Sequence, residues 1–260
     1  THPVYRAFNY LKYDAITIGN HEFNYGIKFL NSVLKGVKMP VVNANVYSVK
    51  KNKPFFKPYV ILKRSVVDKQ GMEHELNIGV IGFIPPQIMR WDKPNLEGKV
   101  IARPIVESAK EFVPRMKEEG ADMIIALAHR GIDSEPYHPE TENAVYYLSD
   151  IPEIDVILAG HSHSVFPGPA FKDLPMANIV EGKIKGKPVV MAGAFGSRLG
   201  IIDLELEVKD GKWKVVNSTS FTRSIADEAG NPLVKTDKKL FKLIKPEHQE
   251  TVDFLKKLGL

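Results

Sequence analysis

An α/β fold is predicted from three features of the chain. Short apolar runs of strand character alternate with stretches whose apolar residues recur at helical spacing. Three of those runs open on Asp and lead into Asn or His. No apolar run approaches the roughly 18 to 20 residues that a membrane helix needs, so no span is expected.

The elements follow in order. Pro3 to Tyr13 reads as a helix, with Val4, Ala7, Phe8 and Leu11 on one face. Asp14 to Ile18 is a short buried strand ending at Gly19. A helix from about Ile27 to Leu34 leads to a strand over Pro40 to Val46. Tyr59 to Val67 and Leu76 to Phe83 form a strand pair around the polar excursion Asp68 to Glu75, and Pro85-Pro86 stops the second strand. A helix spans Val106 to Glu119, which Pro114 must bend or start. Asp122 to Ala128 and Asp155 to Ala159 are buried strands on either side of a helical stretch around Glu142 to Leu148. Pro188 to Ala192 is a further strand. Gly200 to Val208 and Lys212 to Ser218 make a hairpin turning at Lys209-Asp210-Gly211, and Asp237 to Leu260 is a charged amphipathic helix.

Composition excludes some chemistries. With no cysteine there is no disulfide, no thiolate nucleophile and no Cys-bound zinc. The net charge of +5 comes from lysines scattered through surface segments such as Lys50 to Lys53 and Lys183 to Lys187. Basic and aromatic residues do not interleave, so a solvated face is expected and a nucleic-acid polymer is not.

The candidate chemistry lies at strand exits. Asp14 to Gly19 runs into Asn20-His21-Glu22, Asp122 to Ala128 into His129, and Asp155 to Gly160 into His161-Ser162-His163. Ligands in open α/β sheets bind at the carboxyl ends of strands, and four of the eight histidines sit there. Singly, each is more simply a loop or core residue; placed alike, they point to one metal site. Imidazole suits Zn, Fe or Ni and an amide oxygen suits harder ions such as Mn. An extended His161-Ser162-His163 would turn both rings into one cavity and Ser162 outward. Gly19 and Gly160 would let backbone approach without a Cβ. His2, His74, His138 and His248 are read as structural, and Arg130 either as a surface salt-bridge partner or as a phosphate contact.

Gly19-Asn20-His21-Glu22, Leu127-Ala128-His129 and Gly160-His161-Ser162-His163 resemble the signature blocks of the calcineurin-like metallophosphoesterases. Longer blocks resemble the 2′,3′-cyclic-nucleotide 2′-phosphodiesterase/3′-nucleotidase branch. These are His2 to Tyr5, Gly19 to Gly26, Val42 to Val46, Pro85 to Met89, Val145 to Ser149 and Gly160 to Gly168. The resemblance implies a four-layer αββα sandwich, with two mixed β-sheets flanked by helices. It also implies two divalent ions (Mn, Zn, Fe, Co or Mg) and nucleotide substrates. Asn20, His129 and His161 match ligands of one ion and His163 a ligand of the other. His21 matches the catalytic histidine that acts as acid or electrostatic clamp in an in-line displacement. Asn24 stands where 5′-nucleotidase relatives carry Asp and is expected to support His21, or else to be an ordinary turn residue. No residue is assigned to substrate binding.

The same resemblance implies an Asp-x-His and a Gly-Asp block that do not occur in this sequence. Residues 1–235 are therefore expected to be an N-terminally incomplete catalytic domain, and residues 236–260 a helical linker toward a C-terminal nucleotide-binding domain. Little activity is expected of these 260 residues alone. A periplasmic, cell-wall-associated or secreted location is implied by resemblance only. A 5′-nucleotidase or nucleotide-sugar hydrolase, a non-catalytic metal- or nucleotide-binding module, and a structural zinc domain stay open as alternatives.

Overall fold

Four of the apolar runs lie side by side and parallel: Glu73–Phe83, Met123–Ala128, Val156–Ala159 and Lys187–Ala192. The structure is a computed structural model that describes residues 2–259. Among the described residues these strands form the centre of an eight-stranded mixed sheet. Tyr59–Val67 closes one edge, antiparallel to Glu73–Phe83. Ala177–Asn178 and Lys183–Ile184 extend the other edge, and Val165–Phe166 pairs with Lys187–Ala192. The helix Ile105–Glu118 buries Phe112, Val113 and Met116 among Phe83, Ile124 and Ile157 of the core. Pro114 sits within it and does not start it.

The Asp at the entrance of two strands has a structural cause. Asp122 Oδ2 accepts from the Asn77 N–H at 2.8 Å, and Asp155 Oδ2 accepts from the Ile124 N–H at 2.8 Å. Each carboxylate thus pins its strand to the start of its neighbour and fixes the register by which both reach the exit edge.

Smaller sheets surround this one: the parallel pair Ile16–Thr17 and Val41–Val42, the set Lys53–Pro54, Val46–Ser48 and Val100–Ala102, and the long hairpin Arg198–Lys209/Lys212–Ser224. The parallel pair meets the large sheet at Gly82, where a Cβ would lie 2.1 Å from the Val42 carbonyl oxygen. The Ala44 N–H donates to the Gly82 carbonyl across this contact at 2.7 Å.

Some expected boundaries move. The strand expected over Pro40 to Val46 is split, because the buried Asn43 amide oxygen takes the Val46 N–H at 2.9 Å in place of a ladder partner. The polar excursion is shorter than expected and Glu73 already belongs to the strand. Asp68 Oδ1 closes the turn on the Gln70 and Met72 N–H groups at 2.8 and 2.9 Å. Only Val145–Leu148 of the stretch from Glu142 is helical, which frees Glu142 to project from a loop. The last helix, Lys238–Lys257, buries none of its residues and lies along the first helix, Pro3–Leu11. Arg6 Nη2 donates to the Leu243 carbonyl at 2.6 Å there, and Tyr10 bonds Asp237, the N-cap of that last helix.

Candidate metal centre

Parallel register brings the sequence-distant histidines together. Ala128 pairs with Ala159, so His129 and the Gly160-His161 segment leave adjacent strands at one edge. Asn20 reaches the same edge after the strand Ile16–Thr17, at the start of a short 3-10 turn, His21–Phe23. Its Oδ1 lies 3.0 Å from His129 Nε2 and 3.3 Å from His161 Nδ1. The His129 and His161 rings are 5.4 Å apart between centroids. Gly19 permits the approach, since a Cβ there would stand 2.8 Å from His129 Cε1.

Glu142 determines which nitrogen of His161 faces the centre. Its Oε1 lies 2.8 Å from His161 Nε2, and a carboxylate only accepts, so Nε2 carries the hydrogen. In the neutral ring Nδ1 then turns a lone pair toward the lone pairs of the Asn20 oxygen. A cation placed between them would take both atoms as ligands. The donor set, one amide oxygen and two imidazole nitrogens with an outer carboxylate, fits a divalent ion. Among the described residues, no group of three or more His, Cys, Asp or Glu side chains is gathered closely enough to hold an ion.

His129 sits in a setting that disfavours its charged form. Burial is the larger cause, followed by the neighbouring His161, His21, His163 and Arg130, and together they push its pKa down to about 4. An imidazole held neutral keeps a lone pair for a ligand. Of the residues singled out from the sequence, Asn20, His129 and His161 are in direct contact. His163 and His21 are near enough to act on the charge of His129.

The extended His161-Ser162-His163 segment does not form. His161 and His163 have φ of 66° and 59°, and the Ser162 N–H turns back to the Gly160 carbonyl at 2.8 Å. Two non-glycine residues in the left-handed region cost about 1–2 kcal/mol each. The bond from the Ser162 N–H to the Gly160 carbonyl reverses the chain directly after the strand. His163 faces Phe195 at 5.7 Å, a residue 99% exposed and itself at φ 59°.

His21 is held through a chain of three side chains. Its Nδ1 lies 2.9 Å from Asn24 Oδ1, and Asn24 Nδ2 donates to Asp92 Oδ1 at 3.0 Å. Asn24 is therefore more than a turn residue. Trp91, next to Asp92, stacks on His161 with centroids 5.6 Å apart and planes at 26°. Arg130 is neither on the surface nor salt-bridged: it is 0% exposed, and its guanidinium donates to the Thr141 carbonyl at 2.8 Å and to Gln87 Oε1 at 3.3 Å. Burial pushes its pKa down to about 9. It is a strut between loops. Of the histidines read as structural, His2 caps the first helix and His74 bonds Asp68.

Glu142, Asp92 and Trp91 escaped the sequence reading. The one available signal was that Trp91-Asp92 follows the Pro85 to Met89 block; in the structure the pair ends the short helix Ile88–Trp91.

Comparison with known proteins identifies the family. The calcineurin-like phosphoesterase family matches residues 3–165. Over 257 residues the chain is 48% identical to a 2′,3′-cyclic-nucleotide 2′-phosphodiesterase/3′-nucleotidase of Salmonella typhimurium, covering 98% of this chain and 40% of that protein. It is 46% identical to the trifunctional nucleotide phosphoesterase protein YfkN of Bacillus subtilis, over 99% of this chain and 17% of that one. The crystal structure of calcineurin-like phosphoesterase YfkN from Bacillus subtilis superposes with a TM-score of 0.92, covering 98% of this chain and 75% of that chain. The chain thus spans well under half the length of the curated relatives it matches. It has the calcineurin-like phosphoesterase fold and belongs to the calcineurin-like phosphoesterase family.

Proposed function

We propose that the protein hydrolyses nucleotide phosphoesters, taking 2′,3′-cyclic nucleotides to 3′-nucleotides and 3′-nucleotides to nucleoside and phosphate. The observation that carries this reading is the convergence of Asn20 Oδ1, His129 Nε2 and His161 Nδ1, with His21 next in the chain to Asn20. The names of the similar proteins supply the substrate class.

Asn20, His129 and His161 would hold one divalent ion, and His163 would contribute to a second; Mn, Zn, Fe, Co and Mg are the candidates. When bound, such ions supply Lewis-acid polarisation of the phosphoryl oxygens. Glu142 keeps His161 turned toward that position. The exposed His21 has Nδ1 engaged by Asn24, so Nε2 is the nitrogen left to hydrogen-bond or protonate the departing ribose oxygen.

Two further parts of the proposal rest on family likeness. Residues 1–235 act as the catalytic unit, with 236–260 a helical connection toward a nucleotide-binding domain, and the protein works outside the cytoplasm, in periplasm, cell wall or medium. No helix among the described residues is long and apolar enough to cross a membrane.

The test offers 2′,3′-cyclic AMP, 3′-AMP and 5′-AMP side by side to the full-length protein with a divalent ion. Turnover of the first two, abolished by chelator, is the expected result. Preference for 5′-AMP would select the 5′-nucleotidase reading, and binding without turnover the non-catalytic one.

A further inference from the structure

Asp92 is a carboxylate only 6% exposed, and its Oδ1 accepts from Asn24 Nδ2 at 3.0 Å. The short helix Lys93–Leu96 begins beside it, yet the Asp92 side chain makes no capping bond to that helix. Burying a carboxylate is costly unless hydrogen bonds offset it. Helix capping does not account for its position, and its contact with Asn24 does.

That contact determines the orientation of the amide. A carboxylate only accepts, so the NH₂ of Asn24 must face Asp92 and the carbonyl oxygen must face His21. The amide oxygen also only accepts, so the hydrogen at the 2.9 Å contact belongs to His21 Nδ1. Nε2 is then the nitrogen left free of Asn24. Without Asp92 the amide, whose two ends are nearly equal in size, could turn over. Its NH₂ would face Nδ1 and move the ring hydrogen to Nε2. A carboxylate at position 24 could not replace this arrangement while Asp92 remains, because the two anions would stand in contact at about 3 Å.

We propose that Asp92 is a positioning residue for the phosphoester reaction, acting through Asn24 to fix the ring orientation and tautomer of His21. This rests on the role of His21 given above, but its structural half can be measured without turnover.

The experiment uses protein labelled with ¹⁵N-histidine, with the His21 signals assigned by His21→Gln. In the unaltered protein the nitrogen shifts report the Nδ1–H tautomer when the ring is neutral. Asp92→Leu moves them toward mixed tautomers and lowers kcat about tenfold, less than the roughly 10²- to 10⁴-fold typical of losing the acid–base group itself, while metal content is unchanged. Asp92→Asn, which can still offer an oxygen to Asn24, keeps the original signature. Asn24→Asp alone loses activity, and the exchange pair Asn24→Asp/Asp92→Asn recovers it, because the new carboxylate accepts from both sides. Unchanged His21 signals in Asp92→Leu overturn the proposal. If that variant does not fold, an exchange pair no better than Asn24→Asp alone overturns it. A protein that keeps the tautomer pattern but hydrolyses no nucleotide refutes the proposed function and leaves the positioning role of Asp92 intact.

Discussion

Glu142 lies 2.8 Å from Nε2 of His161 and so selects Nδ1 as the nitrogen that faces Asn20. Partners of this kind raise ligand basicity and hold the ring, and losing one costs roughly 10- to 100-fold in metal affinity. Glu142→Ala is expected to weaken Mn²⁺ or Zn²⁺ binding by that order in a competition titration. Unchanged affinity would make Glu142 a bystander on its loop.

His21 and His161 separate when mutated. His21→Ala leaves metal content near normal and lowers turnover by about 10²- to 10⁴-fold, the range of a lost general acid or base. His161→Ala loses metal and activity together. Elemental analysis of both variants checks the distinction, and equal metal loss in the two would reverse the assignment.

His129 predicts a pH dependence for the protein stripped of divalent ions. Its folded pKa, near 4, lies below the ordinary 6.5, chiefly through burial. Between those values the unfolded chain binds the extra proton, so stability rises with pH. The contribution is fully present above about pH 6.5 and lost as pH falls toward about 4. Denaturant midpoints measured across this window in chelator should show that slope, and His129→Gln should flatten it.

Gly82 is the tight point between the parallel pair and the large sheet. A Cβ there would meet Val42 backbone, not the yielding end of a side chain. Gly82→Ala is expected to destabilise by about 1–3 kcal/mol, the range of an overpacked core, and thermal or denaturant unfolding measures it. Gly71, at the tip of an exposed turn with nothing near its Cβ, serves as the comparison: there the cost comes only from its φ of 85°.

The α/β class and the site edge were legible in the chain because buried parallel strands are continuous apolar runs. Met123–Ala128 and Val156–Ala159 stand where their runs predict, and the residues that follow them meet at one edge. Local pattern alone carries that much, since an apolar run ending in His declares both a strand and its exit.

What the sequence could not declare are contacts between side chains on separate loops. Glu142 meets His161 19 residues away, and Asp92 meets Asn24 68 residues away. No periodicity links such pairs, because their separation depends on how whole strands and helices pack. The same holds for Arg130, whose charge pointed to the surface while the loops bearing Gln87 and Thr141 closed over it. The strand ends at Gly160 by local pattern, but nothing in that pattern declares the left-handed turns of His161 and His163. The sequence by itself determined which residues are brought to the edge of the sheet. Tertiary structure decided which nitrogen each ring presents there, because ring orientation is imposed by acceptors that arrive from elsewhere in the chain.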